Sequence, residues 1–158
     1  IVLLTNDINL QQGGQELANK YLIEILKEKH SLKIINQKFF PEGNFYGKVA
    51  IDGEIDFAKL GFLRGLVRLK KTLAKLNDEN FDYVIISANP FSSLLYFFLI
   101  KLFNFFPSLK IIHWCHLDPF SSIFQASRIP FILYPLGFFL YRQFDLIIVT
   151  NGRFLLIR

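Results

Sequence analysis

The chain opens on four apolar residues, IVLL at 1–4, followed by a polar loop that ends in Gly13-Gly14. Beyond the loop, Leu17, Tyr21, Leu22, Ile25 and Leu26 recur at helical spacing, with Glu24, Lys27 and Glu28 on the other side. An unbroken aliphatic run predicts a strand covered on both faces of a parallel sheet, and the three-to-four spacing predicts an amphipathic helix. The alternation continues along the chain. Residues 32–36 (LKIIN), 83–87 (YVIIS), 110–115 (KIIHWC) and 145–150 (DLIIVT) read as further buried strands. Residues 39–57 read as a loop broken by Pro41, Gly43, Gly47 and Gly53, in which 48–51 is a candidate short strand.

Three helical segments separate the later strands. Residues 57–76 carry Phe62, Leu63, Leu66, Val67, Leu69, Leu73 and Leu76 on one side. Lys59, Arg64, Arg68, Lys70, Lys71 and Lys75 lie on the other, with no acid between them. Residues 91–106 (FSSLLYFFLIKLFNFF) are apolar nearly all round, which fits burial under the sheet for at least half of the surface. Residues 129–140 (IPFILYPLGFFL) are equally apolar, interrupted by Pro135 and Gly137, and fit an interfacial helix that presents Phe138 and Phe139. Both apolar segments are short for a membrane span, which needs about 20 residues. A last helix begins at Arg153.

Strands alternating with helices define the α/β class: a Rossmann-like parallel sheet with helices on both faces. The 158 residues suffice for one domain with a substantial core. In such sheets ligands sit beyond the C-terminal strand ends, where 5–14, 87–91, 116–119 and 150–153 converge.

Composition adds a direction. Nineteen phenylalanines and a net charge of +5 favour an anionic membrane surface over nucleic acid, since no nucleic-acid motif accompanies the basic helix. Arg64, Arg68, Lys71 and Lys75 are the candidate membrane-facing cations, set against the plain reading of a solvated helix face. The single cysteine, Cys115, excludes an internal disulfide framework and fits a reducing, cytoplasmic setting.

The candidate chemistry lies at the strand ends. Gly13 and Gly14 open a helix N-terminus, which suits a phosphate or another anion, although neither a Gly-x-Gly-x-x-Gly nor a Gly-Lys-Ser/Thr pattern is present. His116 and Asp118 follow the fourth long strand, where an imidazole can move a proton or bond a phosphate or sugar hydroxyl. Asn89 ends the third long strand. His113, Cys115 and His116 alternate across the sheet and do not form a metal site. No metal is expected.

Three of these stretches resemble one family. Gly13-Gly14-Gln15-Glu16 is similar to the Gly-Gly-x-Glu that opens the first helix in GT-B glycosyltransferases of the family-4 retaining type. Residues 145–154 (DLIIVTNGRF) resemble that family's last N-domain strand, with Asn151 in place and Gly152 where serine is usual. Residues 114–119 (WCHLDP) resemble the Tyr-Cys-His-Phe-Pro-Asp of mannosyltransferases that extend dolichol-linked oligosaccharides, with proline and aspartate exchanged.

The resemblance implies that 1–158 is an acceptor-binding N-terminal domain. A separate C-terminal domain, none of whose Glu-x7-Glu motif occurs here, would hold the donor. It implies a hexose donor such as GDP-mannose or a UDP-sugar, no tightly bound cofactor, and a lipid-linked or glycan acceptor. Gly13, Gly14, Asn89 and Asn151 would lie near the diphosphate or substrate, and His116 with Asp118 at the transferred sugar. The setting implied is the cytoplasmic face of a membrane, peripheral or monotopic. The alternative is a non-catalytic Rossmann-like docking subunit that recruits a separate catalytic chain.

Overall fold

The computed structural model describes residues 1–9, 14–40, 49–115, 139 and 142–149. The predicted segments at 129–138 and from Arg153 lie outside that set. In chain order the elements are β1 (Val2–Asn6), α1 (Gly14–Lys29), β2 (Lys33–Lys38), β3 (Gly53–Asp56), α2 (Phe57–Leu60), α3 (Phe62–Asn77), β4 (Tyr83–Ser87), α4 (Pro90–Leu102), β5 (Lys110–Cys115) and β6 (Leu146–Val149).

The described strands form one sheet in the order β3-β2-β1-β4-β5-β6, and every pairing is parallel. This is the expected Rossmann-like α/β sheet. Strand side chains alternate between two cores. Val2, Leu4, Ile35, Val84, Ile86 and Ile111 face one side, where Leu69, Leu73 and Leu76 of α3 and Tyr96, Phe97 and Ile100 of α4 cover them. Ile1, Leu3, Ile34 and Ile85 face the other side, covered by Leu22 and Ile23 of α1.

Several boundaries differ from the sequence reading. β1 runs through Thr5 and Asn6, and β2 through Gln37 and Lys38, because Asn6 pairs with Gln37 in the ladder although both are polar. The third strand is Gly53–Asp56, not 48–51. β6 starts at Leu146, and Asp145 instead accepts a hydrogen bond from Ile111 N at 2.7 Å.

The helix expected over 57–76 is two helices. Gly61 has φ +74°, outside the right-handed region, and separates α2 from α3. Asp56 caps α2 by accepting from Lys59 N at 2.8 Å. One turn into α3, Gly65 lies so close to Phe57 that a Cβ there would stand 2.4 Å from the ring.

α4 stops at Leu102 rather than Phe106. Asn104 and Phe106 take positive φ, and Asn77 Oδ1 accepts from Phe106 N at 2.6 Å, which ties this turn to the end of α3. The face of α1 is also rotated from expectation. Leu22 and Ile23 are buried with Asn19, whereas Leu17, Tyr21 and Ile25 are more than half exposed. Among the described residues no helix is long and apolar enough to cross a membrane.

Candidate functional site

Strand order reverses between β1 and β4: β2 and β3 continue to one side, β5 and β6 to the other. Helices leave such neighbouring strands in opposite directions, and a crevice opens beyond the carboxyl ends. Here those ends are Asn6 and Ser87. Two helix N-termini, those of α1 and α4, belong to the same edge. Each brings the positive end of a helix dipole, so the edge favours a negatively charged or strongly accepting ligand.

Asparagines build the rim. Asn6 Oδ1 accepts from Asn89 N at 2.7 Å, joining the two strand ends across the reversal. Asn89 Oδ1 in turn accepts from Ser92 N at 2.8 Å and caps α4, with Pro90 fitting the first turn. Asn6 Nδ2 donates to Asp7 Oδ2 at 3.1 Å.

Asp7 adopts φ 44°, an uncommon backbone state for a residue other than glycine. Its geometry is held from several directions. Asp7 Oδ1 accepts from Phe39 N and Phe40 N at 2.8 and 3.1 Å, and Asp7 N donates to Gln37 O at 2.8 Å. Asn36 Oδ1 accepts from Ile8 N at 3.2 Å, while Asn9 and Val49 exchange two side-chain-to-backbone hydrogen bonds. The chain after β1 is thereby fastened to the segments flanking the β2–β3 connection. The left-handed turn at Asp7 is the kind of held strain that clusters at ligand clamps.

Below the rim lies a buried polar layer. Asn19 of α1 donates to Thr5 Oγ1 at 3.2 Å and to Ser87 O at 3.3 Å, and its Oδ1 accepts from the Ser87 hydroxyl. Tyr96 of α4 donates its hydroxyl to Thr5 O at 2.8 Å and also lies 3.2 Å from Ile35 O. Burial pushes the Tyr96 phenol well above its ordinary pKa, and the Asp7 carboxylate adds to the effect.

His113 packs at 5.1 Å, ring to ring, on Phe144, and its Nε2 is 3.0 Å from Ser93 Oγ. Ser93 gives its one hydroxyl proton to Ala88 O at 3.0 Å. The imidazole Nε2–H is then the donor toward Ser93 Oγ. His113 is therefore a structural histidine that holds β5 to the start of α4. Among the described residues no group of three or more His, Cys, Asp or Glu is placed to hold a metal ion.

Of the residues singled out from sequence, Gly13, His116, Asp118, Asn151 and Phe138 lie outside the described residues. Gly14 is the first residue of α1, and Asn89 caps α4 at the rim. Arg64, Arg68, Lys71 and Lys75 line one side of a surface groove of about 390 Å³ on α3, on the sheet face opposite α1. Phe139 is 61% exposed. Arg64 to Lys75 are thus a surface feature of α3, separate from the asparagine rim.

Asn19 and Tyr96 were not anticipated from the sequence, and Asn6 and Asp7 were expected at this edge only as part of the 5–14 segment. Asn6 and Asp7 had a signal, a polar pair directly after the first apolar run. Asn19 had none, because a lone asparagine in an amphipathic helix reads as solvent-facing. No protein-family model matches the chain, and no curated protein matches it.

Proposed function

We propose that this chain is the acceptor-side half of a glycosyltransferase that moves a hexose from a nucleotide sugar to a lipid-linked or glycan acceptor. The observation that carries the reading is the asparagine rim at the β1/β4 reversal. There Asn6 and Asn89 bridge two strand ends beside the N-termini of α1 and α4. A diphosphate or a sugar hydroxyl is suited by the positive ends of helix dipoles, which α1 and α4 direct to this edge. The resemblance of 13–16, 114–119 and 145–154 to family-4 enzymes supports the same reading and implies substrate-binding roles for Gly13, His116, Asp118 and Asn151. The nucleotide sugar, GDP-mannose or a UDP-sugar, would be held chiefly by a second domain, and the setting would be the cytoplasmic face of a membrane.

The test is transfer by the natural polypeptide. It is incubated with labelled GDP-mannose or UDP-sugars and a lipid extract, and incorporation into lipid is counted. We expect incorporation with one donor, a large loss in His116→Ala, and a smaller loss in Asn89→Ala. Absence of transfer from every donor, or unchanged turnover in His116→Ala, overturns the assignment. In the first case the docking-subunit reading takes its place, with a stable heteromeric partner as its signature.

A further inference from the structure

α3 and α4 lie side by side on the sheet face opposite α1, and their outer surfaces join. The joint is visible at Lys70 of α3, whose Nζ lies 3.8 Å from the centroid of the Phe103 ring just past α4. Asn77 at the end of α3 also holds Phe106 N.

At about 3.6 residues per turn, Leu63, Val67 and Ala74 share the flank of α3 with Lys70, the flank beside α4. Lys71, Arg64, Lys75 and Arg68 follow round the helix on the side away from α4. On α4, Phe98 is opposite the buried Tyr96–Ile100 face, with Leu102 one turn on. Leu63 is 77% exposed, Val67 56%, Phe98 50% and Leu102 58%. Neither helix carries an acidic residue.

These helices therefore present one surface: an apolar strip between and over them, bordered by a row of cations. A solvated helix face does not need large apolar residues at this exposure, and neither α3 nor α4 sets an acidic residue among the cations. A row of cations beside a shallow apolar strip matches an interface with anionic headgroups above and acyl chains below.

We propose that the outer face of α3 and α4 is the membrane-contact surface of this protein. Leu63, Val67, Phe98 and Leu102 enter the headgroup–acyl boundary, and Arg64, Arg68, Lys71 and Lys75 meet anionic phospholipid headgroups. The inference deepens the reading above only in its membrane setting and does not depend on glycosyl transfer. α3 and α4 lie parallel to the bilayer plane in this arrangement. The C-terminal strand edge then stands at the side of the footprint, within reach of an acceptor whose lipid remains in the leaflet.

The test is flotation of the chain with vesicles of phosphatidylserine and phosphatidylcholine at low salt, with vesicles of phosphatidylcholine alone for comparison. We expect binding to the anionic vesicles and little to the neutral ones. The pair Arg64→Gln and Lys71→Gln should weaken binding about 30-fold, near fivefold for each cation. The pair Phe98→Ser and Leu102→Ser should weaken it at least about tenfold while circular dichroism stays unchanged, since both side chains are exposed.

Absence of any vesicle binding overturns both this surface and the membrane setting of the function. Full binding by both double variants overturns the surface alone and leaves the membrane setting standing. Loss in the cation pair only, with equal retention of wild type and the Phe98/Leu102 pair on heparin, overturns lipid insertion in favour of a general polyanion patch. Transfer is not read in this experiment, so the catalytic assignment stands or falls separately.

Discussion

Asn19→Leu isolates the buried polar layer that holds α1 to the strand reversal. The substitution keeps a side chain branched at Cγ and of similar size, but removes the amide. Thr5 Oγ1 and Ser87 O each lose a donor, and the Ser87 hydroxyl loses its acceptor. Thr5, Asn19 and Ser87 are at most 1% exposed, so water does not replace the lost partners. A buried polar group left without a partner costs about 1–3 kcal/mol, and the added apolar contact of leucine offsets part of that.

We expect a net loss of about 2–3 kcal/mol, or roughly 6–10 °C in Tm for a domain of this size. Urea unfolding followed by circular dichroism measures it. The second leg is Ser87→Ala, which removes the hydroxyl that Asn19→Leu strands. The double variant should be more stable than the sum of the single losses, by about 1–2 kcal/mol. If Asn19→Leu lies within about 0.5 kcal/mol of wild type, as an exposed substitution would, the amide is not holding these elements together. If the two losses simply add, the two side chains are not energetically linked.

Two further outcomes follow from the packing. Tyr96 is neutral when protonated, and its folded-state pKa lies above the 10.0 of an ordinary phenol, chiefly through burial. Its contribution is complete below that pH. Above it the unfolded chain loses the proton first, so stability falls by up to about 1.4 kcal/mol per pH unit until the folded-state pKa is reached. Tyr96→Phe should be less stable at neutral pH by about 1 kcal/mol and should flatten the alkaline decline; equal slopes in wild type and variant would show that another group drives alkaline unfolding. Gly65→Ala gains about 1 kcal/mol of helix propensity but places a methyl 2.4 Å from a Phe57 ring that is itself stacked on Phe39 at 4.8 Å. A net loss of about 1–3 kcal/mol in a urea titration is expected, and a gain in stability would mean that Phe57 moves aside freely.

The alternation of short aliphatic runs with amphipathic segments was enough, read as sequence, to establish a parallel α/β sheet. Short aliphatic runs rich in β-branched residues favour buried parallel strands, and YVIIS and KIIHWC both occur as strands with the expected bounds. Where the strands end was not legible. Thr5, Asn6, Gln37 and Lys38 are polar, and their place in the ladder comes from their strand neighbours rather than from their own hydropathy.

Helix faces were decided in the same way. Leu17, Tyr21 and Ile25 make as good a stripe as Leu22 and Ile23 make a face. The sheet selected the latter because Asn19 beside them finds partners on both β1 and β4. The break at Gly61 likewise depends on Phe57 turning into the core beneath Gly65, a contact that exists only after the helices dock.

Local pattern thus determined the long strands, the main helices and the basic character of α3, but not β3 or the break between α2 and α3. The candidate rim was a tertiary product. Asn6 and Asn89 are 83 residues apart and become partners only when β1 and β4 pair. Hydrophobic periodicity records how each segment meets the core, whereas a binding crevice is made by the few polar residues that the folded sheet brings to one edge.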